Sequence, residues 1–234
     1  MKKQLVIALT AAGLTAVSAL SQAYEQGDVV LRAGVVTVVP NDDSDAIILP
    51  GQPEDLLANG VGVDNGTAIS LIGAWMVNDK WGLELLAATP FEHDIDVQDL
   101  GIAAGSVKHL PPTLSLQWYP RGGMPGWQPY LGLGLNYTTF VDEEVDPALG
   151  GVLGEVLGAS SAELSLDDSF GWAAQAGVDI PINESWAFNL GVWYIDIATT
   201  ASVNAGFDDG SSATVNFDVD IDPLVWNVGF SYKF

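Results

Sequence analysis

The residues of this chain best suited to acid–base chemistry are its 2 histidines, His93 and His109, which have Asp and Ser residues nearby. Those residue types can supply a nucleophile, a base and an orienting carboxylate. No nucleophile motif accompanies them, so both imidazoles read as polar or structural rim groups and the chain as a non-enzyme. Two histidines cannot build a histidine-rich metal site, and with 0 Cys there is no thiolate zinc or cysteine catalysis either. Acidic runs such as Asp42-Asp43 and Asp142-Glu143-Glu144 lack the ligand spacing of a calcium loop, and nothing calls for a metal or a cofactor. Lys+Arg is 7 against Asp+Glu 30, a net charge of -23, which repels a phosphate backbone and excludes nucleic acid as a partner.

What positions these residues follows from composition. Of 234 residues 48% are hydrophobic and only 16% charged, with Gly 26, Trp 8, Tyr 6 and Phe 8, which suits a chain solvated partly by something other than water. Lys2 and Lys3, the apolar run Leu5 to Leu20 and the small residues of Ser21-Gln22-Ala23 read as a signal peptide over 1–23, cleaved to leave a domain over 24–234. No later apolar stretch reaches the roughly 18 residues of a membrane helix. An exported apolar chain without a spanning helix points to a β-barrel.

Period-two alternation supports that reading. It predicts strands near Asp28 to Val39, Thr67 to Val77, Trp81 to His93, Val107 to Tyr119, Gln128 to Val141, Ser169 to Ile180, Trp186 to Ser202 and Ala213 to Phe234, an all-β, eight-stranded antiparallel transmembrane barrel. Short connections at Asn78-Asp79-Lys80, Pro120 to Trp127 and Pro181 to Ser185 alternate with long ones at Pro40 to Gly66, Asp94 to Ser106 and Asp142 to Asp168. This is the asymmetry of periplasmic turns and extracellular loops, and it places the barrel in the outer membrane of a Gram-negative bacterium, among its lipid and lipopolysaccharide. Trp75, Trp81, Trp118, Tyr119, Trp127, Tyr130 and Trp186 flank the short turns and are assigned to a periplasmic aromatic girdle. The last strand, ending Phe230-Ser231-Tyr232-Lys233-Phe234, has the form that barrel-assembly machinery recognises. Leu149, Val152, Leu153, Val156 and Leu157, at helix-like spacing between Asp146 and Ser160, suggest a short helix over the mouth, against which its glycines count.

Residues out of register with the outward leucines must face the lumen. Near the short turns these include Arg32, Glu84, Asp179 and Lys233, an expected internal ion network. Toward the long loops they become Val36, Ile72, Leu86, Phe140, Trp193 and Ile195, an expected apolar channel lining. Pro90 and the Pro111-Pro112 pair lie in neighbouring strands; proline donates no ladder hydrogen bond, so either these strands end early at the rim or this wall is the expected site of a lateral opening.

Several of these residues also carry a resemblance. His109-Leu110-Pro111-Pro112-Thr113-Leu114, Gln117-Trp118-Tyr119, the run Pro129 to Thr138, Trp193-Tyr194-Ile195-Asp196-Ile197 and the ending from Asp222-Pro223 to Phe234 resemble the OmpW family, alkane-uptake relatives included. The resemblance implies an eight-stranded outer-membrane barrel whose hydrophobic channel is closed toward the periplasm and admits small hydrophobic molecules, with Trp193 where the channel narrows. The expected function is uptake of a small hydrophobic ligand through the apolar upper lumen, with release sideways into the membrane. The alternative is a non-transporting structural or interaction barrel whose acidic extracellular loops bind ions or partners.

Overall fold

Alternation of large apolar with small or polar residues makes every strand two-faced, and a closed ring leaves no unpaired edge among such strands. The computed structural model describes residues 23–48, 59–98 and 100–234. Most of the expected signal segment, residues 1–22, lies outside the described residues. In chain order the elements are β1 (Val29–Val39), β2 (Asp43–Ser44), β3 (Val61–Val63), β4 (Gly66–Asn78), β5 (Trp81–Ala88), β6 (Phe91–Val97), β7 (Ile102–Leu110), β8 (Thr113–Trp118), β9 (Gln128–Val145), α1 (Pro147–Leu157), β10 (Ser161–Leu166), β11 (Ser169–Pro181), β12 (Trp186–Ile195), β13 (Ala198–Gly206), β14 (Ser212–Asp220) and β15 (Leu224–Lys233). Antiparallel ladders run β1–β4–β5–β8–β9–β11–β12–β15 and return to β1, closing the eight-stranded barrel expected from the sequence. Among the described residues no helix is long and apolar enough to cross a membrane.

The outer face is an apolar belt. Leu71, Leu85, Leu114, Leu133, Leu135 and Val228 all point outward, Leu133 with 69% of its surface exposed, which is stable only against hydrocarbon. Trp75, Trp81, Trp118, Trp127 and Trp186 ring its lower border. Tyr119 and Tyr130, assigned to that girdle from their nearness to turns, are instead buried in the lumen. Parity outranks turn proximity here: each neighbours an outward residue, Trp118 and Leu131, and so must point in. A second aromatic ring of Tyr137, Phe170, Trp172 and Trp226 borders the belt above.

Four strands expected to be continuous break in two near the upper border. Trp81 to His93 divides at Pro90 into β5 and β6, and Val107 to Tyr119 divides at Pro111-Pro112 into β7 and β8. Trp186 to Ser202 divides at Asp196-Ile197 and Ala213 to Phe234 at Ile221 to Pro223, where Asp222 adopts the left-handed φ of 37° and its carboxylate accepts from the Ile197 backbone N–H. Above these breaks the strands leave the ring and re-pair as a collar. One sheet, β3–β6–β7, continues from the upper half of β9; the other is β10–β13–β14–β2.

The expected helix forms as α1 and packs against β7 and β10. Asp146 caps it by accepting from the Ala148 N–H at 2.7 Å, Pro147 opens it, and Gly158 closes it at φ 76°. Those three terminal signals outweigh its internal glycines, and Leu153 anchors its buried face.

Candidate functional site

The interior is stacked in tiers, beginning with a polar floor. Arg32 donates to Glu84 Oε2 at 2.8 Å, to Asp179 Oδ2 at 2.7 Å and Oδ1 at 3.3 Å, and to the Tyr119 hydroxyl at 2.9 Å, with its guanidinium 4.8 Å from the Tyr130 ring centroid. Asp179 also accepts from Tyr24 at 2.8 Å, Asn189 at 2.9 Å and Ser231 at 3.0 Å. Gln117 donates to Glu84, Ser70 to Asn227, Asn227 to Asn189, and Asn189 to the Tyr130 hydroxyl. Every barrel strand therefore contributes a member to one buried network, and the lumen is closed at this height by charges and amides that have one another for solvent.

Lys233 is a correction to the expected network. It sits half-buried at the lower rim, 3.5 Å from Asp28 and donating to the Ala23 carbonyl at 3.1 Å. The inward parity of a terminal strand residue carries it only to the barrel's end, where the chain segment before β1 offers a nearer carboxylate.

Above the floor the lining turns apolar, as the alternation required. Trp193 is fully buried there, laid against Gly191; a Cβ on Gly191 would stand 2.6 Å from the indole. Its ladder partner Gly177 makes the same allowance for Tyr130, so two paired glycines seat two of the large rings of the lumen. Val36, Ile72, Leu86 and Ile195 pack into one cluster with Trp193. Of the six residues expected to line a channel, only Phe140 borders open space; the other five fill the barrel below it, as the narrow bore of eight strands dictates.

The open space is a chamber of about 80 Å³ enclosed by the collar. Leu149, Leu153 and Leu157 of α1 roof it, and Val61, Ile95, Val107, Val203, Val215, Phe217 and Ile221 supply much of its wall. Sequence parity assigns no inward residues in β13 and β14; they form a hairpin that is brought over the barrel by pairing with β10, about forty residues earlier in the chain.

His93 and His109 are also in this wall. They stack at 4.8 Å with an interplanar angle of 14°, and His109 stacks on Phe91 at 5.3 Å. Glu92, Asp94 and Asp96 project outward beside them, so this part of the collar stands above the hydrocarbon. Burial pushes the His109 imidazole down to about 3, and the neighbouring His93 adds to the effect. Burial lowers His93 too, against the opposing pull of the Asp64 carbonyl. Both rings are neutral at neutral pH.

Pro90, Pro111 and Pro112 interrupt the wall beside the chamber. The β5–β8 ladder ends at Leu86 opposite Thr113, and the β6–β7 ladder begins at Phe91 opposite His109. Between those rungs Ala87 to Pro90 face Leu110 to Pro112 without a ladder pair. Pro111 is buried and Pro90 and Pro112 are exposed. Tyr137, whose N–H bonds the Pro112 carbonyl, puts the interruption level with the upper aromatic ring.

Known proteins agree with this architecture. The model of the OmpW family matches residues 25–234. Outer membrane protein W of Vibrio cholerae serotype O1 is 40% identical over 233 residues, covering 96% of this chain and 99% of that one. Outer membrane protein W of Escherichia coli K12 is 40% identical over 234 residues and covers 100% of both chains. The crystal structure of OprG from Pseudomonas aeruginosa superposes with a TM-score of 0.80 at 43% identity, covering 92% of this chain and 99% of that one. AlkL in DMPC bilayers shares the fold, with a TM-score of 0.64 at 23% identity over 92% of this chain and 94% of its own. The chain belongs to the OmpW family and is a β-barrel protein of the bacterial outer membrane.

Proposed function

We propose that this barrel takes up small hydrophobic molecules from outside into its apolar chamber and releases them sideways into the membrane. The observation that carries the reading is the chamber of about 80 Å³ standing over a barrel packed shut by the Trp193 cluster and, beneath it, the polar floor, next to a wall without ladder pairing. Apolar lining favours an apolar guest over water, while the floor offers it no path downward. Trp193, Ile195, Leu86, Val36 and Ile72 then act as the base of the chamber, Phe140 as part of its wall, and Pro90, Pro111 and Pro112 as the exit. The reading takes the protein as non-enzymatic. It takes the C-terminal strand to Phe234 as the signal for assembly machinery.

The test is uptake of toluene by cells bearing the inserted barrel, with insertion checked by the mobility of the unheated protein on gels. Replacing Pro111 by Val and Pro112 by Thr supplies the missing donors and slows uptake; Trp193→Ala deepens the chamber and changes its rate. Unchanged uptake in both variants refutes the transport reading and favours a barrel whose acidic loops bind partners.

A further inference from the structure

We propose that His93 and His109 form a polar anchor in the chamber wall that selects hydrophobic molecules carrying a hydroxyl group, alcohols or phenols, over hydrocarbons of the same size. The inference rests on the chamber being a ligand site and names the class of ligand it prefers.

Every other residue bordering the chamber is an aliphatic or phenylalanine side chain, so these two imidazoles are the polar side chains of its lining. Both are buried, and the Nε2 atom of each has no hydrogen-bond partner. Buried polar atoms are nearly always paired, and a wall that leaves two of them unpaired at a cavity is a wall built for a guest that pairs with them.

The chemistry of that guest follows from the tautomer. His93 Nδ1 bonds the Asp64 carbonyl, which can only accept, so Nδ1 carries the hydrogen. In the neutral ring Nε2 is then a bare acceptor. It requires a donor, which excludes hydrocarbons, ketones, esters and ionised carboxylates. An ammonium group has donors but would lose its hydration among aliphatic walls. A hydroxyl gives its hydrogen to His93 and still has lone pairs for the second imidazole if His109 presents its own N–H.

The rings are also held in place. His93 is tied at one end to Asp64 and stacked on His109, which is stacked on Phe91. Its Nε2 edge occupies space that only a glycine at 66 leaves, since a Cβ there would stand 2.6 Å from Cε1 and 2.7 Å from Nε2. The rings are fixed in orientation with each Nε2 closed over by its neighbours, so a guest reaches it only as the surrounding apolar side chains give way.

The experiment compares p-cresol with p-xylene, which differ by a hydroxyl in place of a methyl, on the full-length protein in lipid nanodiscs. Binding is followed through the ¹⁵N shifts of the histidine side chains, with ligand concentrations corrected for lipid partitioning. The expected result is a preference for p-cresol of about tenfold, the scale of one hydrogen bond supplied to a buried partnerless group. It comes with an upfield shift of His93 Nε2 that p-xylene does not produce. His93→Phe and His109→Phe bring the ratio toward one, and Gly66→Ala, which crowds Nε2 without altering the imidazole, does the same if the phenylalanine variants fail to fold. If both compounds bind with equal affinity in the unaltered protein, or Nε2 does not shift, the anchor is refuted while the chamber remains a binding site. If neither binds, the anchor and the transport reading fall together.

Discussion

Replacing Arg32 by methionine tests the barrel's floor most directly. The guanidinium makes four hydrogen bonds, two to Asp179 and one each to Glu84 and Tyr119, and both ion pairs are buried, with exposures of 0% to 1%. Methionine keeps much of the side chain's length but leaves two carboxylates in the lumen with no cation among the members of the network. Breaking a buried pair from one side costs about 3–5 kcal/mol, because the stranded charge outweighs the lost contact. Two charges are stranded here, so Arg32→Met is expected at the upper end, about 5 kcal/mol. Neutralising both partners as well, in the Arg32→Met, Glu84→Gln, Asp179→Asn variant, removes that penalty and leaves one amide oxygen at 179 that still accepts from Ser231, while the amide NH2 faces the Tyr24 hydroxyl oxygen as a donor. This triple variant should return to within about 2 kcal/mol of the unaltered barrel. Urea unfolding and refolding in short-chain phosphatidylcholine vesicles, followed by tryptophan fluorescence, gives the midpoints and slopes. The reasoning is refuted if Arg32→Met leaves the midpoint unmoved, or if the triple variant is no more stable than the single one.

Cysteine labelling of intact cells checks the topology. Gly150→Cys, on α1 with open space around its Cβ position, should react with a membrane-impermeant maleimide, and Glu184→Cys, in a short turn at the opposite end, should not. Acid should loosen the collar, because His109 titrates near 3 when folded against an ordinary 6.5. The folded collar thus binds fewer protons than the unfolded one between those values, and stability is full above about pH 6.5 and falls as pH drops toward 3. The protection factors of the β6 and β7 amides, corrected for the intrinsic fall of exchange rate with pH, should therefore drop through that window. The His93 ring shifts in the same direction, and His109→Phe should flatten the response.

The legible part of this protein is what period two controls. The barrel, its outward leucines and the inward Arg32, Glu84 and Asp179 all follow from alternation, because membrane and lumen impose opposite chemistry on successive residues. Where that constraint lapses, so does the reading. Lys233 was assigned to the floor by parity, yet at the barrel's rim an inward side chain no longer has the lumen around it. Tyr119 and Tyr130 were drawn to the girdle by the turns beside them although parity sends them inward. The collar was hidden for a different reason. Alternation continues unbroken from β12 into β13, and from β14 into β15, so nothing in the period marks where a strand leaves the ring. The marks are chemical: Asp196, the Asp222-Pro223 pair and the three prolines, each placed where a ladder bond is surrendered. The chamber itself is set by pairings such as Leu164 with Val203, which joins β10 to the β13–β14 hairpin across about forty residues and leaves no local trace.

The vertical order of the tiers decides which way a guest would leave on the proposed route. Going down means displacing Trp193 from its seat on Gly191 and then parting a network in which each broken ion pair costs about 3–5 kcal/mol. Going back up means lifting α1, whose roof residues Leu149, Leu153 and Leu157 lose their apolar contacts as it rises. Going sideways crosses only Ala87 to Pro90 and Leu110 to Pro112, a stretch with no ladder pair to break, and arrives level with Tyr137 at the upper edge of the apolar belt. An apolar molecule keeps its favourable surroundings along that path and gains the bilayer at its end. The proline breaks that open the collar above the ring are thus also what makes the sideways route the cheapest of the three.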